Sequence, residues 1–190
     1  GRNAQLQENY GTISAPGNDP TVITVGSANF KLTTSRSDDT VNLFSSRGPT
    51  RSGWTDSTGV RHVDNLLKPD LVAPGNRIFG ASAQTANVLS LTKNNLATVF
   101  PTLESATGAS QLYGQRLIML SGTSIAAPAV AGAAALLLQA NPGLTPALVK
   151  AMLQYSATPQ SGAKLIDQGA GLLNVTGAVL FAGSNEIALP

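Results

Sequence analysis

The chain has 190 residues, with a net charge of +2 from 12 basic and 10 acidic side chains. That is length enough for one domain with a core and too little charge for a nucleic-acid surface. Basic residues are scattered from Arg2 to Lys164, cysteine is absent, and no apolar run approaches the roughly 20 residues that cross a bilayer. Nucleic-acid partners, disulfides, thiolate metal sites, a cysteine nucleophile and a membrane-spanning segment are therefore not expected.

Only 12% of residues are charged against 42% hydrophobic, as expected when other structure covers part of the surface. Taken in order, residues 21–27 set Val22, Ile23 and Val25 between Pro20 and Gly26 and predict a strand. Residues 41–44 and 70–73 are shorter strand candidates, each closed by proline or glycine nearby. The stretch 78–115 exceeds an ordinary connection and reads as an inserted loop or hairpin beside the functional site. Residues 116–120, Arg-Leu-Ile-Met-Leu, predict a strand leading into Ser121-Gly122-Thr123-Ser124.

A helix follows over about 124–140. Ala131, Ala134 and Ala135 permit close packing, and Leu136, Leu137 and Leu138 are expected to fill a core. Apolar nearly all round, this helix is expected to be central and buried. Pro128 is tolerated because it stands near the first turn. Asn141-Pro142-Gly143 stops it. A second helix has Thr145 as N-cap, Pro146 at its first position, and Leu148, Val149, Met152 and Leu153 at helical spacing to about Tyr155. A last short helix is predicted over 176–181, and residues 185–190 are expected to lead into another domain.

The segment at Ser124 carries the chemistry. A serine in the first turn of a helix, reached through a Gly-Thr bend, lies beside unpaired N–H groups and the positive end of the helix dipole. Negative charge developing next to its hydroxyl would be stabilised, as acyl transfer requires. A serine there is otherwise an ordinary cap, so the surrounding motifs decide.

Gly122-Thr123-Ser124-Ile125-Ala126-Ala127-Pro128 resembles the nucleophile motif of the subtilisin-like serine proteases, the subtilases, Gly-Thr-Ser-x-Ala-x-Pro. Four further segments resemble subtilase signatures in the expected order. They are Ser14-Ala15-Pro16-Gly17-Asn18-Asp19-Pro20 with Thr21-Val22-Ile23-Thr24-Val25-Gly26, Phe44-Ser45-Ser46-Arg47-Gly48-Pro49, Lys68-Pro69-Asp70-Leu71-Val72-Ala73-Pro74-Gly75, and Gly169-Ala170-Gly171-Leu172-Leu173-Asn174-Val175. The resemblance implies an α/β fold, the subtilisin-like three-layer arrangement with a mostly parallel sheet. Residues 1–190 would form the C-terminal part of its catalytic domain. Ser124 would be the catalytic nucleophile, with its backbone N–H as one oxyanion donor. Thr12, Ser14, Ala15, Pro16 and Gly17, with Gly122 and Thr123, would bind substrate, and the Ala15–Pro16 bond is a candidate cis peptide.

In that family the triad runs Asp, His, Ser along the chain. The aspartate, histidine and oxyanion asparagine would therefore precede this segment. The resemblance then implies a polypeptide substrate, a preceding half as partner, an inactive isolated chain, open sheet edges prone to self-association, and a secreted or extracytoplasmic, bacterial setting. The single histidine, His62, stands in a polar, turn-rich stretch and reads as a surface or loop residue rather than the base. Ala129 replaces a histidine common after the motif proline, which is not the triad base. No cofactor is expected. Asp19, Asp38 and Asp39 are candidates for a calcium loop, though without recognisable ligand spacing. Arg47 and Asp70 read as structural. Two other classes compare poorly or remain open. An esterase of the nucleophile-elbow type needs a histidine after the serine, and none follows Ser124. A non-catalytic binding or assembly module stays open for the chain alone.

Overall fold

The computed structural model describes residues 7–83, 95–109 and 116–184. The expected tail at 185–190 lies outside them. Strand β1 (Val25–Asn29) is joined by β2 (Thr40–Val41), a hairpin of β3 (Gly53–Thr55) and β4 (Arg61–Val63), β5 (Leu71–Pro74) and β6 (Ile78–Ala81). Short helices α1 (Asn95–Val99) and α2 (Thr102–Ser105) precede β7 (Leu117–Leu120). The remainder is helical: α3 (Thr123–Ala140), α4 (Pro146–Ser156), α5 (Leu165–Gln168) and α6 (Val175–Ser184).

At the centre β1 runs parallel to β5, with Val25 opposite Leu71 and Ala28 opposite Pro74. Strand β2 adds antiparallel on the other side of β1. Residues 170–173 lie along the free side of β5, through Val72 N–H to the Gly171 carbonyl (2.9 Å) and Leu173 N–H to the Val72 carbonyl (2.8 Å). Gly169 makes this approach possible. Its φ is +62°, and a Cβ there would collide with the carbonyl oxygens of Pro69 and Asp70. The other described pairs, β3 with β4 and β6 with β7, are antiparallel. The segment 78–115 thus opens with β6, which pairs back onto β7. Its described interior holds α1 and α2, while 84–94 and 110–115 fall outside the described residues.

Alternation along β5 separates two apolar layers, because successive side chains point to opposite faces. Leu71 and Ala73 join Val130, Leu137, Val149, Leu153 and Ala178 in the larger cluster, whereas Val72 packs with Ala28 and Leu172. The larger layer is built by α3, α4 and α6. Ala126 and Ala133 of α3 and Ala178 and Ala182 of α6 are all buried in it, small residues that let the helices and sheet approach closely. Thr145 caps α4 as expected, its Oγ1 accepting the Leu148 N–H at 3.3 Å.

Helix α3 departs from expectation. Only Ala126, Val130, Ala133 and Leu137 are buried, while Leu136 and Leu138 are 46% and 43% exposed. Three consecutive leucines are spread over about 200° of a helix turning about 100° per residue, so one layer cannot take all three. The helix is therefore buried on one stripe, not all round. At 18 residues it is also long and apolar enough to cross a membrane by length and composition alone, contrary to the reading of the bare sequence. Its buried stripe packs instead on β1, β5 and α6.

Candidate active site

Three strand ends meet around the Ser124 turn. Strand β5 is followed by Gly75, whose N–H donates to the Ala28 carbonyl of β1 (3.1 Å) and whose carbonyl accepts the Gly122 N–H (2.8 Å). A Cβ on Gly75 would collide with Ser27 Oγ and stand 2.7 Å from the Gly122 carbonyl oxygen. Only glycine lets the chain before α3 dock this closely. Ser121 follows β7. Its Oγ accepts the Arg77 N–H (2.8 Å) and donates to Asn76 Oδ1 (3.2 Å).

The turn delivers Gly122, Thr123 and Ser124 together. The Gly122 carbonyl accepts the N–H groups of Ile125 (3.0 Å) and Ala126 (3.2 Å), starting α3, and no side chain caps the helix. Ser124 is the second residue of α3 and is exposed. Its Oγ and its backbone N–H have no hydrogen-bond partner among the described residues, and neither has the Thr123 N–H. An exposed hydroxyl beside free N–H groups at a helix N-terminus is the arrangement that can present a nucleophile and stabilise an oxyanion. Next to it an apolar groove of about 440 Å³ is walled by β6, β7 and α3, including Phe79, Ile118, Ile125 and Pro128.

The proposed substrate-binding residues at 12–17 are not tied to this turn by any hydrogen bond among the described residues. Thr12 exchanges bonds with Arg47, its N–H to the Arg47 carbonyl (2.9 Å) and its Oγ1 from the Arg47 N–H (2.9 Å). Ser14, Ala15, Pro16 and Gly17 form a turn, closed by Gly17 N–H to the Ser14 carbonyl (2.8 Å) and held by Thr24 Oγ1 on the Gly17 carbonyl (2.7 Å). The Ala15–Pro16 peptide is cis, as are Gly48–Pro49 and Lys68–Pro69. Thr24 precedes β1, so the anchor of this turn is at the opposite end of the parallel pair from Gly75.

His62 is a surface residue, as expected, though it lies on β4 rather than in a loop. It stacks on Trp54 with ring centroids 4.4 Å apart, and its Nε2 is 2.7 Å from Asp56 Oδ2. No hydrogen bond links it with Ser124. Asp56 also accepts from Thr58 and Val60, and these bonds, the Thr58 hydroxyl first, hold its carboxyl down at about 2.

Arg47 and Asp70 are structural, as expected. Arg47, 1% exposed, pairs through Nε with Asp167 (2.9 Å) and through a terminal nitrogen with Glu8 (3.1 Å). Asp167 in turn accepts the Lys164 N–H (2.8 Å) and so starts α5, an element with no signal in the sequence beyond a Lys-x-x-Asp spacing. Asp70 gathers Lys68 (2.7 Å), Lys150 (3.1 Å) and the Thr24 N–H (2.7 Å). Burial pushes the Lys68 ammonium below its ordinary range while Asp70 pulls it back up. The calcium candidates do not converge. Asp19 is turned onto Thr21, which holds its carboxyl low, Asp38 onto Thr33, and Asp39 onto Arg36 at 3.5 Å. Among the described residues no three acidic, histidine or cysteine side chains stand close enough to share a metal ion.

Comparison with known proteins agrees with the motifs. A family model described as the subtilase family matches residues 3–178. The chain is 36% identical over 168 residues to serine protease AprX of Bacillus subtilis, covering 88% of this chain and 32% of that protein. It is 30% identical over 165 residues to subtilisin-like protease SBT2.3 of Arabidopsis thaliana, covering 73% of this chain and 16% of that protein. Among solved structures it resembles the CspB protease of Clostridium perfringens, with a TM-score of 0.62 and 25% identity over 93% of this chain and 30% of that one. Fervidolysin of Fervidobacterium pennivorans, a keratinolytic enzyme related to subtilisin, gives 0.58 at 25% identity over 87% of this chain and 20% of that one. The chain thus spans a third or less of the length of these proteins.

Proposed function

Because this chain belongs to the subtilase family, with the α/β fold of subtilisin-like proteases, we propose that Ser124 is the nucleophile of a serine endopeptidase acting on polypeptides. The observation that carries this reading is the Ser124 turn, an exposed hydroxyl beside unpaired N–H groups at the start of α3. Ser124 Oγ attacks the scissile carbonyl carbon while its proton passes to a histidine. The histidine then protonates the leaving amine, and water releases the acyl group by the same route in reverse. The Ser124 N–H donates to the developing oxyanion.

His62 is engaged elsewhere, so the histidine, its orienting aspartate and a side-chain oxyanion donor are assigned to a preceding portion of the longer protein. The exposed apolar side of α3 and the groove beside it suit contact with that portion. Loss of one oxyanion donor alone costs about 10²–10³ in rate, and without the base the chain alone is inactive. Gly122, Thr123 and residues 12–17 are the proposed substrate contacts, and an extracytoplasmic setting follows from the family resemblance. Open strand edges favour self-association of the isolated chain, which light scattering should show as a dimer.

Labelling with a fluorophosphonate, read by intact mass, tests the reading. Full-length protein should be labelled at Ser124 and hydrolyse casein, and residues 1–190 alone should do neither. Unchanged hydrolysis by full-length Ser124→Ala would overturn the assignment. A second reading, a non-catalytic binding module, is favoured by the absence of any hydrogen-bonded base at Ser124 among the described residues. It predicts no labelling in either form.

A further inference from the structure

Resting on the peptidase reading of Ser124, we infer that Asn29, Asn76 and Ser121 form a hydrogen-bonded chain that positions the nucleophile turn, which makes Asn76 and Ser121 positioning residues for the reaction. The three stand at the ends of three strands: Asn29 closes β1, Asn76 follows β5 and Gly75, and Ser121 follows β7. Asn29 Oδ1 accepts the Lys31 N–H (2.9 Å) and one hydrogen of the Asn76 amide (3.0 Å). Asn76 presents its other end, Oδ1, to the Ser121 hydroxyl (3.2 Å), and Ser121 Oγ accepts the Arg77 N–H (2.8 Å). Asn76 is thus held at both ends of its amide, by Asn29 through nitrogen and by Ser121 through oxygen.

Between the end of the β6–β7 ladder at Leu120 and the start of α3, the bond from Gly122 N–H to the Gly75 carbonyl is, among the described residues, the one backbone tether of the turn to β5. The Ser121 hydroxyl adds a second tether, attaching the preceding residue to the β5–β6 connection. Arg77 reinforces the argument. It sits at φ +55°, a left-handed conformation that is unfavourable for arginine, and its N–H is the group that Ser121 takes up. A strained residue bonded directly to the turn before a nucleophile is a position where geometry is being imposed. Ser124 lies three residues beyond Ser121 in the first turn of α3, so the direction of its Oγ follows from how the chain enters the helix. Small errors in that direction reduce the rate of attack with little effect on binding.

The test uses the full-length polypeptide that carries this segment, with kcat and KM measured on one peptide substrate and unfolding followed in parallel. Ser121→Ala and Asn76→Ala should each lower kcat about three- to ten-fold, the loss of one hydrogen bond's worth of orientation, with KM unchanged. The double variant should be no worse than the poorer single, because both break one chain. Ser121→Thr, which keeps the hydroxyl, should restore kcat. Should either alanine variant fail to fold, Asn29→Ala removes the far anchor and should lower kcat in the same direction by a smaller factor. The inference is overturned if kcat is unchanged while stability drops, if the effect falls on KM, or if Ser121→Thr does not rescue. Ser124→Ala separates the levels. Lost hydrolysis there with normal kcat in the alanine variants sinks the positioning chain alone, and retained hydrolysis sinks it together with the peptidase reading.

Discussion

Two regions hold reactive side chains and resolve them in opposite ways. The β3–β4 hairpin has a histidine, a carboxylate and an aromatic in direct contact, His62 with Asp56 and Trp54. On paper it looks more like a catalytic centre than a lone serine does. The Ser124 turn has no such pairs, only an exposed hydroxyl, free N–H groups and a backbone docked onto Gly75. Yet the hairpin joins its groups to one another, within a span of nine residues from Trp54 to His62. The Ser124 turn leaves its reactive groups unsatisfied and fixes the scaffold around them. Reactivity follows from what the surrounding structure holds open, and side-chain chemistry alone does not reveal it.

The sharpest way to break this contrast is to delete each region's central side chain in full-length protein. Ser124→Ala should abolish peptide hydrolysis, a loss on the order of 10⁵–10⁶ in kcat, whereas His62→Ala should leave the rate of the same assay unchanged. A large effect of His62→Ala would bring the hairpin into the mechanism. Next in size is Gly75→Ala. The added methyl collides with Ser27 Oγ and crowds the Gly122 carbonyl, so urea unfolding should register about 1–3 kcal/mol of lost stability together with reduced labelling of Ser124. Equal stability and labelling would mean the turn does not depend on this approach.

The smallest effect belongs to Asp56. Its carboxyl is held at about 2, below the ordinary 3.8, so its bonds favour the folded chain above the ordinary value and are lost as pH falls toward 2. An NMR titration should find that low midpoint, and Thr58→Ala should raise it by more than His62→Ala does. An equal or reversed order would show that the histidine, not the hydroxyl, governs the carboxylate, and the hairpin would then resemble a base–orienter pair after all.

The elements that read correctly from the chain are those whose causes are local. Thr145 and Pro146 start α4 through contacts three residues away, the run before Ser121 forms β7, and Gly122-Thr123-Ser124 sits at the head of a helix. Hydrogen bonds within a turn and side chains at i and i+4 are encoded in neighbours, so period and capping residues suffice. The Ser124 turn was legible for the same reason, since its motif is contiguous.

What escaped the chain read alone depends on partners far apart in it. Arg47 meets Asp167 across 120 positions, and that carboxylate in turn starts α5. The burial of Leu137 but not Leu136 or Leu138 depends on which side of α3 the sheet occupies. The turn at 14–17 was legible as a turn, but its anchor at the start of β1, away from Gly75, was not. The hydrogen bonds that tie Asn29, Asn76 and Ser121 also join three strand ends that no spacing rule connects. Local propensity acts over about one helical turn. Which surfaces meet is settled by how the whole chain buries its apolar area, and only the folded structure carries that information.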